Sequence, residues 1–332
     1  MTRRPTALFA MHAHHLPAIF PEDTMAGVRR FVDVDEALVA ERFDSPDVLA
    51  VLSDVEILVT GWGCPPVDAT VLAAAPRLRA VLHAAGSVKG HLAPECWERG
   101  IAVSSAADAN AVPVAELTLA MILLAGKDAI GLRERYRSER TFALGEIHGA
   151  IGNFRRRVGI IGASRIGRRV LRLLEPFDLT VSLTDPYLSA PPPGVRLLAL
   201  DDLLRHSDVV TLHAPATPDT HHLMDRRRLA LIPDGGVLVN TARGSLVDTD
   251  ALVAELSTGR IGAILDVTDP EPLPPDSPLF DLPNVFLTPH IAGSHGNELT
   301  RLGQTVVAEL ERLVTGAPLA HQVLAADLDR AA

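Results

Sequence analysis

The sequence has only two cysteines, almost no lysine and no long uninterrupted apolar run. Cys64 and Cys96 cannot build a disulfide framework, and their spacing matches no metal-ligand motif. A disulfide-stapled secreted fold is therefore excluded, no metal is expected, and a reducing, cytoplasmic setting fits. Basic charge rests almost wholly on arginine, Lys89 and Lys127 being the only lysines, and the formal net charge is −10. Nucleic acid or an anionic membrane would require clustered positive charge to displace counterions, so neither is an expected partner. The apolar run Ala7 to Met11 is broken by His12, His14 and His15 before a signal-peptide core could form. The stretch Leu117 to Gly126 reads as about half of a bilayer-spanning helix. Neither secretion nor a membrane span is expected.

What is present suits a large soluble enzyme. With 332 residues, 47% of them hydrophobic, the chain can bury a core of roughly two domains. Short aliphatic runs at Ala7–Phe9, Ile57–Val59, Ala80–Leu82 and Ala102–Ser104 each precede a helical pattern, which is the rhythm of a parallel sheet. A long helix is expected from Pro113 to Arg137. A second alternation begins at Arg157, with strands near Val158–Ile161, Val181–Leu183, Val209–Leu212, Val237–Val239, Ala263–Asp266 and Val285–Leu287. An amphipathic helix from Asn297 to Leu313 is expected to pack back on the first domain. The fold class is α/β. The expected boundaries are 1–107 for the first part of a substrate domain, 108–293 for a dinucleotide domain, and 294–332 for the returning helix.

The phrase VGIIGASRIG is an apolar strand running into a glycine turn and then a helix, whose unpaired N–H groups can face a pyrophosphate. Gly162 and Gly167 hold the first and third places of the dinucleotide fingerprint, and Ser164 stands where its second glycine belongs; Arg165 and Ile166 open the helix. Roughly twenty residues on, Asp185 ends the next strand pattern, where a carboxylate can accept from the ribose hydroxyls. That carboxylate repels a 2′-phosphate, and Pro186, Tyr187 and Leu188 supply no cation for one, so NAD is favoured over NADP. The turn alone could equally be an ordinary strand-to-helix connection, and Asp185 an ordinary turn aspartate.

Three polar groups then end successive strand patterns: Arg243 in VNTARGSLVD, Glu271 in AILDVTDPEPLP and His290 in FLTPHIAG. Reduction of a ketone by hydride builds alkoxide charge, so a proton must come from a positioned acid. His290 suits that task, and a carboxylate such as Glu271 favours its protonated ring. A planar guanidinium offers paired donors to a substrate carboxylate, which fits Arg243. Singly, each has an ordinary structural use; the order downstream of the glycine turn is more specific.

With these phrases the chain resembles the D-isomer-specific 2-hydroxyacid dehydrogenase family over nearly its whole length. The resemblance implies two Rossmann-like domains, a doubly wound NAD-binding domain and a flavodoxin-like substrate domain, with an interdomain cleft. It implies hydride transfer between NAD and a small 2-oxo acid or D-2-hydroxy acid. Arg243 then binds the substrate carboxylate and carbonyl, His290 is the acid/base, Glu271 pairs with it, and Asp266 contacts the nicotinamide carboxamide. By the same resemblance His213 and Pro215 lie beside the adenosine half of the cofactor, and Thr241, Ala242 and Gly293 complete its contacts. HAAGSVKG is similar to the family's substrate loop, in which backbone amides around Gly86, Ser87 and Val88 hold the carboxylate. Here Val88, Lys89 and Gly90 stand where the family has a second glycine and, further on, an acidic or amide residue, which leaves the substrate open.

A homodimer involving the Pro113 to Arg137 helix is also implied, and no appended regulatory domain is expected after the last helix. Histidines 12, 14 and 15 read as surface or cleft-lining, and His221 and His222 as solvent-facing. Two rival readings share the scaffold: a dinucleotide-sensing corepressor-like binding protein, against which the acidic charge and the lack of a disordered tail argue, and a phosphite or formate dehydrogenase. Formate enzymes of this fold pair the histidine with glutamine, so Glu271 speaks against the formate option.

Overall fold

The computed structural model describes residues 3–141 and 151–328. Two compact units result, one formed by Met1–Ala111 with Ser294–Ala331 and the other by Val112–Gly293. Each is built on its own parallel sheet.

The first unit carries β1 (Thr6–Ala10), β2 (Asp33–Val39), β3 (Ile57–Thr60), β4 (Ala80–His83) and β5 (Ala102–Ser105), in the spatial order β2-β1-β3-β4-β5. All pairings are parallel. Strands β3 and β4 are buried at every residue, as continuous aliphatic runs covered on both faces should be. Strand β2 was not expected. Its sequence, DVDEALV, alternates exposed and half-buried positions on the sheet edge, so acidic residues stand where a central strand would be apolar.

The helix Leu299–Thr315 packs on the helices Leu16–Ile19 and Glu22–Phe31 of the first unit, burying Leu302, Val306 and Leu310. It starts two residues later than its periodicity suggests, because Gly296–Glu298 form a capping turn in which His295 and Glu298 bond each other's backbone. The approach is close. A Cβ on Gly303 would lie 2.1 Å from the Ile19 carbonyl oxygen.

The second unit carries β6 (Arg157–Ile161), β7 (Thr180–Thr184), β8 (Arg196–Leu197), β9 (Val209–Leu212), β10 (Val237–Asn240), β11 (Gly262–Leu265) and β12 (Val285–Leu287). Their order is β12-β11-β10-β9-β6-β7-β8, the doubly wound arrangement, with the direction of winding reversing between β6 and β9. The two-residue β8 escaped the sequence reading because it is exposed, short and preceded by Pro191–Pro193.

The long helix expected from Pro113 is two helices, Ala107–Gly126 and Ala129–Glu139. The first begins six residues before Pro113, which sits inside it. The break follows from Asp128, whose backbone is left-handed (φ 46°). At twenty residues with mean hydropathy 1.6, the helix Ala107–Gly126 is long and apolar enough to cross a membrane by length and composition. It is longer than the uninterrupted apolar stretch in the sequence because Asp108, Asn110 and Glu116 belong to it. Half of its most apolar window is buried inside the protein, with Ala115, Met121, Ile122 and Ala125 among the core residues behind β6 and β9.

Gly303→Ala is expected to destabilise the first unit by about 1–3 kcal/mol, since backbone, not a mobile side chain, must give way. A urea titration followed by circular dichroism should show a lower midpoint; an unchanged midpoint would mean that the two helices separate freely.

Candidate active site

In the second unit the carboxyl ends of β6 and β9 mark the reversal of winding, where open α/β sheets bind their ligands. The glycine turn leaves β6 there. Gly162 has φ 100°, and a Cβ on it would lie 2.8 Å from backbone atoms of His213 and Ala214. A Cβ on Gly167 would meet the Gly162 carbonyl oxygen at 2.1 Å. Both positions therefore require glycine. Ser164, at the place of the missing second glycine, is the N-cap of the helix Arg165–Leu174: its hydroxyl accepts from the Gly167 amide at 3.3 Å.

Asp185 follows β7 and ties the turn down. One carboxylate oxygen accepts from the Ala163 amide at 2.7 Å and the other from the Tyr187 amide at 2.8 Å. His213 lies beneath the turn, its ring 2% exposed and bonded to the Thr211 hydroxyl through Nε2 at 3.0 Å. Its side chain thus belongs to the floor of the turn. Pro215 follows two residues later and accepts from the Thr220 hydroxyl at 2.5 Å.

Beyond β10, buried Asn240 shapes the loop that presents the arginine: its amide donates to the Arg243 carbonyl at 2.8 Å and its carbonyl accepts from the Ala242 amide at 3.0 Å. Thr241 is buried and shares a 2.7 Å hydrogen bond with Thr118. The Arg243 guanidinium donates to the Ala242 carbonyl at 2.7 Å. Burial lowers its pKa, and the negative charge of Glu271 opposes that shift. Gly244 explains the proximity. A Cβ there would lie 1.9 Å from the Thr268 carbonyl oxygen, so the loops after β10 and β11 touch backbone to backbone.

His290, after β12, is left-handed at φ 53°, an uncommon conformation for a non-glycine residue. Its Nδ1 is 2.8 Å from Glu271 Oε1. A carboxylate only accepts, so Nδ1 carries the hydrogen in this pair. Both side chains are about half exposed, at 50% and 44%.

The loop is held by Asp266, whose carboxylate is 2% exposed. Oδ1 accepts from the Thr288 hydroxyl at 2.6 Å and the Ile291 amide at 2.8 Å; Oδ2 accepts from the Ala292 amide at 2.9 Å. The Asp266 carbonyl accepts from the His290 amide at 2.9 Å. Sequence reasoning named Asp266 for a cofactor contact and missed this work, as it missed Asn240; both stand inside the phrases that flagged Arg243 and Glu271. Gly293 closes the loop, half-buried.

In the first unit the expected substrate loop follows β4. Gly86 lies against Asn110, which accepts from the Ser294 amide at 2.8 Å, and the Ser87 hydroxyl accepts from the Lys89 amide at 3.3 Å. The Val88 side chain is 3% exposed within the core, so only its backbone could meet a ligand. Behind the loop, His83 is buried and bonded to the Thr60 hydroxyl at 2.8 Å, with the His91 ring 4.5 Å away.

Residues 119–292 match the family model described as the NAD binding domain of D-isomer specific 2-hydroxyacid dehydrogenases. The chain belongs to this family. It is 37% identical over 281 residues to D-3-phosphoglycerate dehydrogenase of Mycobacterium tuberculosis, covering 81% of this chain and 52% of that protein. The chain therefore spans about half the length of that relative. Glyoxylate reductase of Korarchaeum cryptofilum is 33% identical over 258 residues, covering 74% of this chain and 76% of that one. Among solved structures, the TT0316 protein from Thermus thermophilus superposes with a TM-score of 0.76 at 31% identity, covering 96% of this chain and all of the other. NAD is the cofactor of the matched domain, and the glycine turn, Asp185, Arg243, Asp266, Glu271 and His290 all fall within it.

Within this member of the 2-hydroxyacid dehydrogenase family, three histidines, two buried and His91 half-buried, are held neutral. Burial pushes His83 and His213 down to about 3 and His91 to about 4. Since the unfolded chain takes up these protons near pH 6.5 and the folded one does not, stability is full above that pH and falls as pH drops toward 3–4. His83→Gln should flatten the stability–pH slope between pH 6.5 and 4 in urea titrations; an undiminished slope would show that His83 is not a source of acid lability.

Proposed function

We propose that the protein is an NAD-dependent oxidoreductase interconverting a small 2-oxo acid and its D-2-hydroxy acid. The observation that carries this reading is the 2.8 Å pairing of His290 Nδ1 with Glu271, with the Arg243 guanidinium held close enough to feel the same carboxylate. The names of the two relatives, a phosphoglycerate dehydrogenase and a glyoxylate reductase, support the same class of substrate.

The glycine turn fits a dinucleotide: Gly162 and Gly167 leave no room for a Cβ, and the ten-residue helix behind them opens toward the turn. When bound there, the reduced cofactor NADH would supply the hydride equivalent for the carbonyl carbon, and its oxidised form NAD would accept it in the reverse direction. Arg243 donates to the substrate carboxylate and carbonyl oxygen, drawing charge toward the oxygen that will become the alcohol. His290 delivers the proton to that oxygen from Nε2 as the C=O π bond opens. Glu271 accepts the Nδ1 hydrogen bond throughout, fixing the tautomer and offsetting the ring's positive charge while it holds the proton. Asp185 accepts from the ribose hydroxyls and repels a 2′-phosphate, so NADH is preferred to NADPH. Backbone amides at Gly86, Ser87 and Val88 assist in holding the carboxylate. The acidic net charge supports an enzyme without nucleic-acid or membrane partners, and two free cysteines fit a reducing, cytoplasmic setting.

A panel of 2-oxo acids with NADH, followed by absorbance, should reveal turnover of at least one of glyoxylate, hydroxypyruvate or a bulkier 2-oxo acid. His290→Ala should lower kcat by about 10²–10⁴-fold while NADH binding, read by fluorescence titration, persists. Full turnover in that variant removes His290 from the chemistry, and no turnover with any 2-oxo acid defeats the whole reading.

The family resemblance also supports a homodimer formed through the dinucleotide domain. Light scattering should give twice the 35.5 kDa chain mass; a single chain mass at working concentration rejects the dimer.

A further inference from the structure

The segment between β9 and β10 carries two adjacent histidines, His221 and His222, that the chemistry above does not use. Adjacent side chains in extended backbone point to opposite sides. Here they do not: His222 is left-handed at φ 50°, and the two rings stack with centroids 3.9 Å apart and an interplanar angle of 24°. Both are exposed, so the arrangement buries no apolar surface that would explain a left-handed non-glycine residue.

Asp269, from the loop after β11, completes the group. One ligand atom from each of His221, His222 and Asp269 lies within 4.8 Å of the others. The Asp269 backbone is fixed, its carbonyl accepting from the Thr249 hydroxyl at 2.5 Å. Among the described residues no donor is bonded to its carboxylate, leaving both oxygens available. The histidine segment is fixed as well: the His222 amide donates to the Ser245 carbonyl at 2.9 Å, and Met224 pairs with Val247.

We propose that His221, His222 and Asp269 form a binding site for a divalent transition ion of the zinc class. Ligand atoms around a tetrahedral zinc lie about 3.3 Å apart, so small rotations of three solvent-facing side chains suffice to close on one ion. Two imidazoles with one carboxylate select zinc, nickel, cobalt or copper over magnesium and calcium, which favour oxygen ligands. Water fills the remaining position. The ion is structural in placement: it joins the segment after β9 to the loop after β11, and His222 hangs on Ser245, two residues past Arg243, while Asp269 precedes Glu271 by two. A bound ion braces the backbone that presents Arg243 and Glu271 without touching either.

The test needs neither cofactor nor substrate, so its result is separate from the fate of the proposed reaction. Untagged full-length protein, stripped with EDTA, is titrated calorimetrically with ZnCl2, and with CoCl2 while the visible absorption of the ion is recorded. Expected are about one ion per chain, a rise in Tm with ZnCl2 that EDTA reverses, and a loss of affinity of about tenfold or more in His221→Gln and in Asp269→Asn, each removing one direct ligand. His14→Gln, in the separate histidine cluster after β1, should bind as the parent does. The proposal is overturned by the absence of one-to-one binding, by unchanged affinity in either ligand variant, or by loss of binding in His14→Gln. Since all four substituted or neighbouring side chains are surface groups, folding of each variant is verified by circular dichroism before titration.

Discussion

The geometry of the loop that carries His290 depends on one buried carboxylate. Asp266 sits at the carboxyl end of β11 with almost no exposure, and a charge so placed is tolerable only when it is fully hydrogen-bonded. It meets that condition by collecting the Thr288 hydroxyl and the Ile291 and Ala292 amides, which is to say by folding the chain on either side of His290 around itself. The left-handed backbone at His290 is sustained by this clamp. Without three donors converging on Asp266, nothing in the short strand β12 would aim the imidazole at Glu271.

The same economy recurs where backbone meets backbone. Gly244 lets the loops after β10 and β11 touch, bringing Arg243 and Glu271 into one electrostatic neighbourhood, while Gly162 and Gly167 let the turn after β6 press against the end of β9. Each approach is closer than any side chain allows. The hydroxyl of Ser164 satisfies the helix start from within, so the position lacking a glycine still ends in a well-formed helix.

Much of this was legible in the residues. The alternation of aliphatic runs and helical patterns gave both parallel sheets, because central strands covered on both faces must be continuously apolar. The phrases around Gly162, Arg243, Glu271 and His290 marked the ends of strands that the fold does bring together within the second unit. Strands β2 and β8 were missed for the complementary reason: edge strands are half-wet, and DVDEALV carries the acidic alternation of a surface segment. The helix break at Asp128 was hidden because a left-handed aspartate interrupts no hydrophobic period. Pro113 misled because proline favours a helix's first turn, yet here it stands in the second. The burial of Val88 and the supporting parts played by Asn240 and Asp266 depend on contacts between residues distant in the chain, which no local pattern announces.

In the proposed reaction, the half-exposed setting of the His290–Glu271 couple bears on how the general acid is reprotonated. A general acid sealed from water would need a relay of side chains to recover the hydrogen ion it surrenders in each cycle. An imidazole that opens on to solvent recovers it from the bulk between turnovers, so buffer and hydronium serve as the reservoir and the protein has no need to build a wire.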